Sequence, residues 1–138
     1  MNLEQARYNM VEQQIRPWEV LDQGVLDLLF VVKREDFVPP AYKALAFADL
    51  EIPLPGGATM LQPKVEARIL QELQVRKSDK VLEIGAGSGY MAALLAAKAD
   101  QVYTVELDLD LARLARENLK RADIENATVE LGDGARGW

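Results

Sequence analysis

Three glycines in alternate positions, Gly85, Gly87 and Gly89, stand directly behind the apolar run Val81-Leu82-Glu83-Ile84 and just ahead of the alanine- and leucine-rich stretch Met91 to Lys98. No other feature restricts the fold of this chain as much. The run before the glycines predicts a β-strand and the stretch after them predicts a helix, so the glycines must turn one into the other. One glycine permits a tight turn, and another lets a ligand approach the backbone with no Cβ in the way. A strand, glycine turn and helix present N–H groups and a helix N-terminus to a nucleotide-like ligand. The competing reading is a bare connection between strand and helix.

The rest of the chain extends this unit. Gln101 to Leu107 reads as a second strand centred on Val102, Tyr103, Thr104 and Val105, and Leu109 to Arg121 reads as a helix with Leu111, Leu114, Ala115 and Leu119 on one face. Ala127 to Leu131 supplies a third strand that leads into Gly132-Asp133-Gly134. Right-handed crossovers arrange such a succession as a parallel sheet in the order 3-2-1. Glu106 then lies at a strand end, 21 residues beyond Gly85, where an acid accepts hydrogen bonds from both hydroxyls of a ribose. Asp133 is placed to accept a hydrogen bond from an adenine amino group.

Ahead of the sheet the pattern is helical. Leu3, Ala6, Met10, Val11 and Ile15 predict an amphipathic helix that Pro17 ends, and Asp22 caps a second helix over Gln23 to Lys33. A short helical piece follows at Ala41 to Ala46, and Lys64 to Leu73 is helical again. Lys33, Arg34, Glu35 and Asp36 alternate in sign and are expected to form an exposed turn. Asp49 to Pro63 is a loop rich in glycine and proline with Thr59 and Gln62 as polar members; such a loop is a candidate for function or a plain surface connection. Trp18 and Trp138 are read as packing residues, with the lining of a ligand pocket as the alternative. The expected division is therefore 1–78, a helical layer with the loop, and 79–138, the cofactor-binding half.

Composition removes whole classes of chemistry. Histidine and cysteine are both absent, which excludes Ser-His-Asp catalysis, thiolate nucleophiles, disulfides and zinc–thiolate sites, and no metal site is expected. A net charge of −6, with no long Lys/Arg cluster, disfavours nucleic acid as a partner. No apolar run approaches the length of a membrane span, so no membrane partner is expected and a cytoplasmic location follows.

Spacing selects the ligand. A dinucleotide fingerprint reads G-x-G-x-x-G; here the third glycine comes one residue early and Tyr90 occupies its place, while Glu83 stands two residues before Gly85. The E-x-G-x-G-x-G form resembles the first motif of S-adenosylmethionine-dependent methyltransferases. Together with Arg34-Glu35-Asp36-Phe37-Val38, the Ile52-to-Pro63 loop and Gly132-Asp133-Gly134-Ala135-Arg136-Gly137-Trp138, it resembles the protein-L-isoaspartate O-methyltransferase family from about Tyr8 to Trp138. The resemblance implies an α/β fold: N-terminal helices plus the first half of a doubly wound Rossmann-like methyltransferase sheet, left incomplete. It implies that Glu83, Gly85, Gly87, Ser88, Gly89, Glu106, Leu107, Asp133 and Gly134 hold S-adenosyl-L-methionine. It also implies that Thr59, Leu61 and Gln62 lie beside the transferred methyl and the carboxylate of a protein or peptide bearing isoaspartate, for protein repair.

Two departures stand out. Leu61 occupies the position of a family serine and Ala58 that of a glutamine. Losing a donor to a charged group costs roughly 1.5–3 kcal/mol. An S-adenosylmethionine-binding paralogue without isoaspartyl repair is thus the second reading, and a nicotinamide-dependent oxidoreductase half-domain the third. The resemblance also implies further strands beyond Trp138, so the first strand is expected to be an open edge, with a longer protein or a second copy completing the sheet.

Overall fold

The computed structural model describes residues 2–138, apart from the side chain of Arg136. The chain forms two compact units, one of residues up to Ile52 together with Leu61–Gln74, the other of Pro53–Met60 with Val75–Trp138. The expected boundary at 78/79 differs from this division in that Pro53–Met60 and residues 75–78 are grouped with the sheet.

In the first unit, helix α1 (Leu3–Met10) starts where the Asn2 side chain accepts from the Gln5 N–H at 3.1 Å. It runs on as a wider π turn over Val11–Ile15 and a 3-10 turn over Arg16–Trp18 that contains Pro17. The wide turn lets Met10, Val11 and Ile15 all point inward, none more than 1% exposed. Helix α2 (Gln23–Val31) is capped as expected, Asp22 Oδ1 accepting from Val25 N at 3.0 Å. It ends before Lys33 because Val32 is already extended and buried. Helix α3 (Pro63–Leu73) places proline at its first position, where a missing N–H costs nothing, and buries Glu66, Ala67 and Leu70. Trp18 is 43% exposed, with the Lys64 ammonium 4.8 Å from its ring centroid.

The expectation of an exposed turn at Lys33–Asp36 is corrected. Arg34–Phe37 is a 3-10 turn in which Arg34 and Phe37 are buried. Alternating sign serves pairing here. Glu35 accepts from both terminal nitrogens of the buried Arg7 at 2.8 and 2.7 Å, and Arg34 meets Glu66. Each charge is compensated by a partner far along the chain, which is what makes burial of such groups tolerable.

In the second unit, β3 (Lys80–Ile84), α4 (Tyr90–Lys98), β4 (Gln101–Glu106), α5 (Leu109–Arg121) and β5 (Ala127–Leu131) follow one another. Two short strands, β1 (Ile52–Pro53) and β2 (Thr59–Met60), bracket the loop that enters this unit. The three long strands are parallel in the order β3-β4-β5, with Glu83 opposite Thr104 and Thr104 opposite Val129. This is the 3-2-1 order. Right-handed crossovers put α4 and α5 on one face, over Val102, Thr104 and Val129, all under 10% exposed. On the other face Leu82, Ile84 and Tyr103 are 47%, 54% and 37% exposed, and β3 is an edge strand among the described residues. Among the described residues no helix is long and apolar enough to cross a membrane.

Candidate cofactor cradle and acceptor loop

The turn after β3 is held from three directions. Gly85 N donates to Val105 O at 2.7 Å, and Glu106 Oε1 accepts from Ala86 N at 2.9 Å and Gly87 N at 3.2 Å. Asn118 on α5 donates to the Ser88 carbonyl at 2.9 Å. Gly89, at φ +89°, packs so closely that a Cβ there would lie 3.2 Å from Ala115 O and 3.3 Å from Ala115 Cα. Gly85 differs. Its φ is +95°, yet nothing lies within 4 Å of where a Cβ would stand. One glycine makes room for a helix and the other leaves an open face.

Glu106 is more committed than its position implies. Besides the two turn amides, its Oε2 accepts from Asp108 N at 3.0 Å. A carboxylate offers about four acceptor sites, so the structure leaves room for one further donor. Ser88 is likewise turned inward; it is buried and its hydroxyl accepts from Tyr90 N at 3.3 Å. Glu83 accepts from the Thr104 hydroxyl at 2.6 Å, tying β3 to β4 beneath the turn. Leu107, by contrast, stands 72% exposed directly after Glu106.

The Gly132-Asp133-Gly134 turn arrives at the same end of the sheet. A Cβ on Gly134 would lie 2.5 Å from Ile84 Cδ1, and one on Gly132 would lie 2.6 Å from the Trp138 ring. Both glycines admit a neighbouring side chain, and the first of those neighbours is the residue before Gly85. Asp133 is exposed and its Oδ1 accepts from Ala135 N at 3.0 Å. The Arg136 side chain, which the sequence leaves open between a solvated group and a contact to substrate or to further chain, lies outside the described residues.

Sequence reasoning missed two contributors from the loop at Pro53–Met60. Leu54 is buried with its Cδ1 3.4 Å from the Cβ position of Gly87, and Gly56 lies 2.9 Å, by the same measure, from Asp108 Oδ2. Asp108 also caps α5, accepting from Asp110 N and Leu111 N at 2.8 and 3.1 Å. The loop is therefore drawn toward the turn and the end of β4, and it carries Thr59, which is exposed. The one sequence signal among them is an acid, Asp108, directly ahead of the Leu109 helix, and it went unread. Leu61 and Gln62 belong to the first unit, where Leu61 is 41% exposed and Gln62 precedes Pro63 at the head of α3.

A family model described as Protein-L-isoaspartate(D-aspartate) O-methyltransferase matches residues 5–138. The protein-L-isoaspartate O-methyltransferase of Koribacter versatilis is 43% identical over 131 residues, which cover 95% of this chain and 59% of that protein. A solved structure of a protein-L-isoaspartate O-methyltransferase superposes with a TM-score of 0.76 at 27% identity, over 96% of this chain and 42% of the other. A Plasmodium falciparum protein so designated, in complex with S-adenosyl-L-homocysteine, shares the fold with a TM-score of 0.75 at 20% identity, over 97% and 64% of the two chains. The chain spans about six-tenths of the length of the curated relatives it matches.

Proposed function

The chain belongs to the protein-L-isoaspartate(D-aspartate) O-methyltransferase family, and from that premise we infer that the full-length protein is an S-adenosylmethionine-dependent carboxyl methyltransferase acting on isoaspartyl residues of proteins. One observation carries the cofactor part of this reading: Glu106 reaches from the end of β4 to the Ala86 and Gly87 amides, beside the uncovered face of Gly85. A bent ligand with a ribose fits a cradle of that kind. Glu106 accepts one hydroxyl on Oε2, Asp133 accepts from an adenine amino group, and Leu107 offers apolar surface to the ring.

When bound, S-adenosylmethionine supplies a methyl group made electrophilic by its sulfonium. The acceptor is a carboxylate, already ionised at neutral pH. No side chain has to remove a proton, which suits a sequence without histidine or cysteine. The work left to the protein is alignment, worth several powers of ten when the reacting groups are held within contact distance. In this reading the stretch Thr59 to Gln62 orients the acceptor.

Leu61 favours a second reading. Its exposed alkyl chain replaces a hydroxyl donor, so an S-adenosylmethionine-binding paralogue without isoaspartyl repair is the alternative. Titration calorimetry of the full-length protein with S-adenosylhomocysteine and with NAD tests the cradle; binding of NAD alone would overturn it. Methyl transfer to an isoaspartyl peptide, with Leu61→Ser beside the parent, separates the two readings. Turnover by the parent supports repair, and turnover recovered only in the serine variant supports the paralogue.

A further inference from the structure

Arg34 is wholly buried, and its three nitrogens reach three stretches of the first unit. Nε donates to Ala46 O at 2.8 Å, just past the 3-10 turn Pro40–Leu45. Nη1 pairs with Glu66 on α3, and Nη2 donates to Leu61 O at 2.9 Å. Burial raises the Glu66 carboxyl from its ordinary range, against the opposing pull of Arg34. A buried ion pair is weak grounds for stability, since an apolar replacement of both partners is often neutral; fixing one geometry is its better-attested use. The fork of donors is also specific to arginine, because lysine carries the same charge on a single point.

The partner that bears on function is the Leu61 carbonyl. Its backbone is tied to a charge-assisted donor while its side chain stays in solvent. We propose that Arg34 is a positioning residue: by gripping the Leu61 carbonyl it fixes how the chain from Thr59 to Gln62 presents itself to the methyl acceptor, and Glu66 holds the guanidinium in place for that task. The proposal rests on the reading of that stretch as the acceptor loop.

The test compares Arg34→Lys and Glu66→Gln in the full-length protein. Amide hydrogen exchange over residues 59–63, thermal unfolding, and kcat and KM for an isoaspartyl peptide are measured together. Lysine cannot span three acceptors, so Arg34→Lys speeds exchange over 59–63 by about tenfold or more and raises the peptide KM by about tenfold, with kcat moved less. Glu66→Gln leaves both carbonyls in reach of Arg34; it lowers the unfolding temperature at least as far, yet changes loop exchange less. Exchange over 59–63 that is unchanged in Arg34→Lys, or that follows global stability alike in both variants, overturns the proposal. So does a fall in kcat at constant KM. Should Arg34→Lys not fold, Arg34→Met with Glu66→Met removes the pair without stranding a charge, and the same exchange criterion applies. A parent that methylates no isoaspartyl peptide refutes the functional reading instead, and loop exchange alone then decides the role of Arg34.

Discussion

Alanine at Gly85 and alanine at Gly89 are the same chemical change, and the structure separates their consequences. Both positions have left-handed φ, where a side chain costs about 1–2 kcal/mol. At Gly89 the new methyl would also press on the Ala115 backbone at 3.2–3.3 Å, and a helix backbone cannot swing aside. Overpacking of that kind adds about 1–3 kcal/mol, for a total of about 2–5. At Gly85 no atom lies within 4 Å, so only the conformational part applies. At about 3 °C per kcal/mol, Gly89→Ala lowers Tm by about 6–15 °C and Gly85→Ala by about 3–6 °C. Ligand affinity reverses the order. A methyl on the open face of Gly85 costs S-adenosylhomocysteine about tenfold or more in Kd, a larger loss than at Gly89. Differential scanning calorimetry and isothermal titration of the two full-length variants give both numbers. If Gly85→Ala binds as the parent does, the ligand does not lie on that face, and the cradle is wrong.

Three further outcomes follow from the same structure. Glu106→Gln weakens S-adenosylhomocysteine by about 10–100-fold in titration calorimetry, because an amide replaces a charged acceptor; a change within about twofold would remove Glu106 from the site. The Arg7 guanidinium holds the Glu35 carboxyl below its ordinary range. A folded value below the unfolded one means stability that is complete above the unfolded value and lost as pH falls through the folded value. Glu35→Gln therefore costs about 2 kcal/mol at pH 7, less than a fully buried pair because Glu4 still bonds Arg7. In urea unfolding that gap narrows as pH falls below the ordinary glutamate range, and a gap that does not change with pH refutes the assignment. Residues 1–138 expressed alone self-associate through the β3 edge, and Leu82→Lys shifts them toward monomer in sedimentation velocity. Equal mass for both would dismiss the edge.

Much of this was legible because it is local. Leu109–Arg121 and Ala127–Leu131 fall where periodicity put them, since an apolar stripe states a helix, and a short β-prone run a strand, without outside help. The glycine turn was legible for the same reason: a strand must become a helix within a few residues. Arg34 was not. Its burial depends on Glu66, 32 positions away, and on two carbonyls, Ala46 O and Leu61 O, that no pattern marks. Leu54 and Gly56 stayed hidden because a loop reveals its contacts only when folded against the turn.

The hidden part changes the electrostatic argument more than the topological one. In sequence, a glycine-rich turn before a helix advertises free N–H groups and so an anion. In the structure the Ala86 and Gly87 amides are already spent on Glu106. Glu106 and Asp108 accept only from backbone amides, and neither enters an ion pair with the described side chains. Amide donors and the N-terminus of α5 offset part of their charge where they stand. A pyrophosphate, which a nicotinamide dinucleotide must place at this turn, finds those two amides already engaged. The carboxylate read as the ribose acceptor thus also occupies two amides that a phosphate would use, an observation that does not depend on glycine spacing.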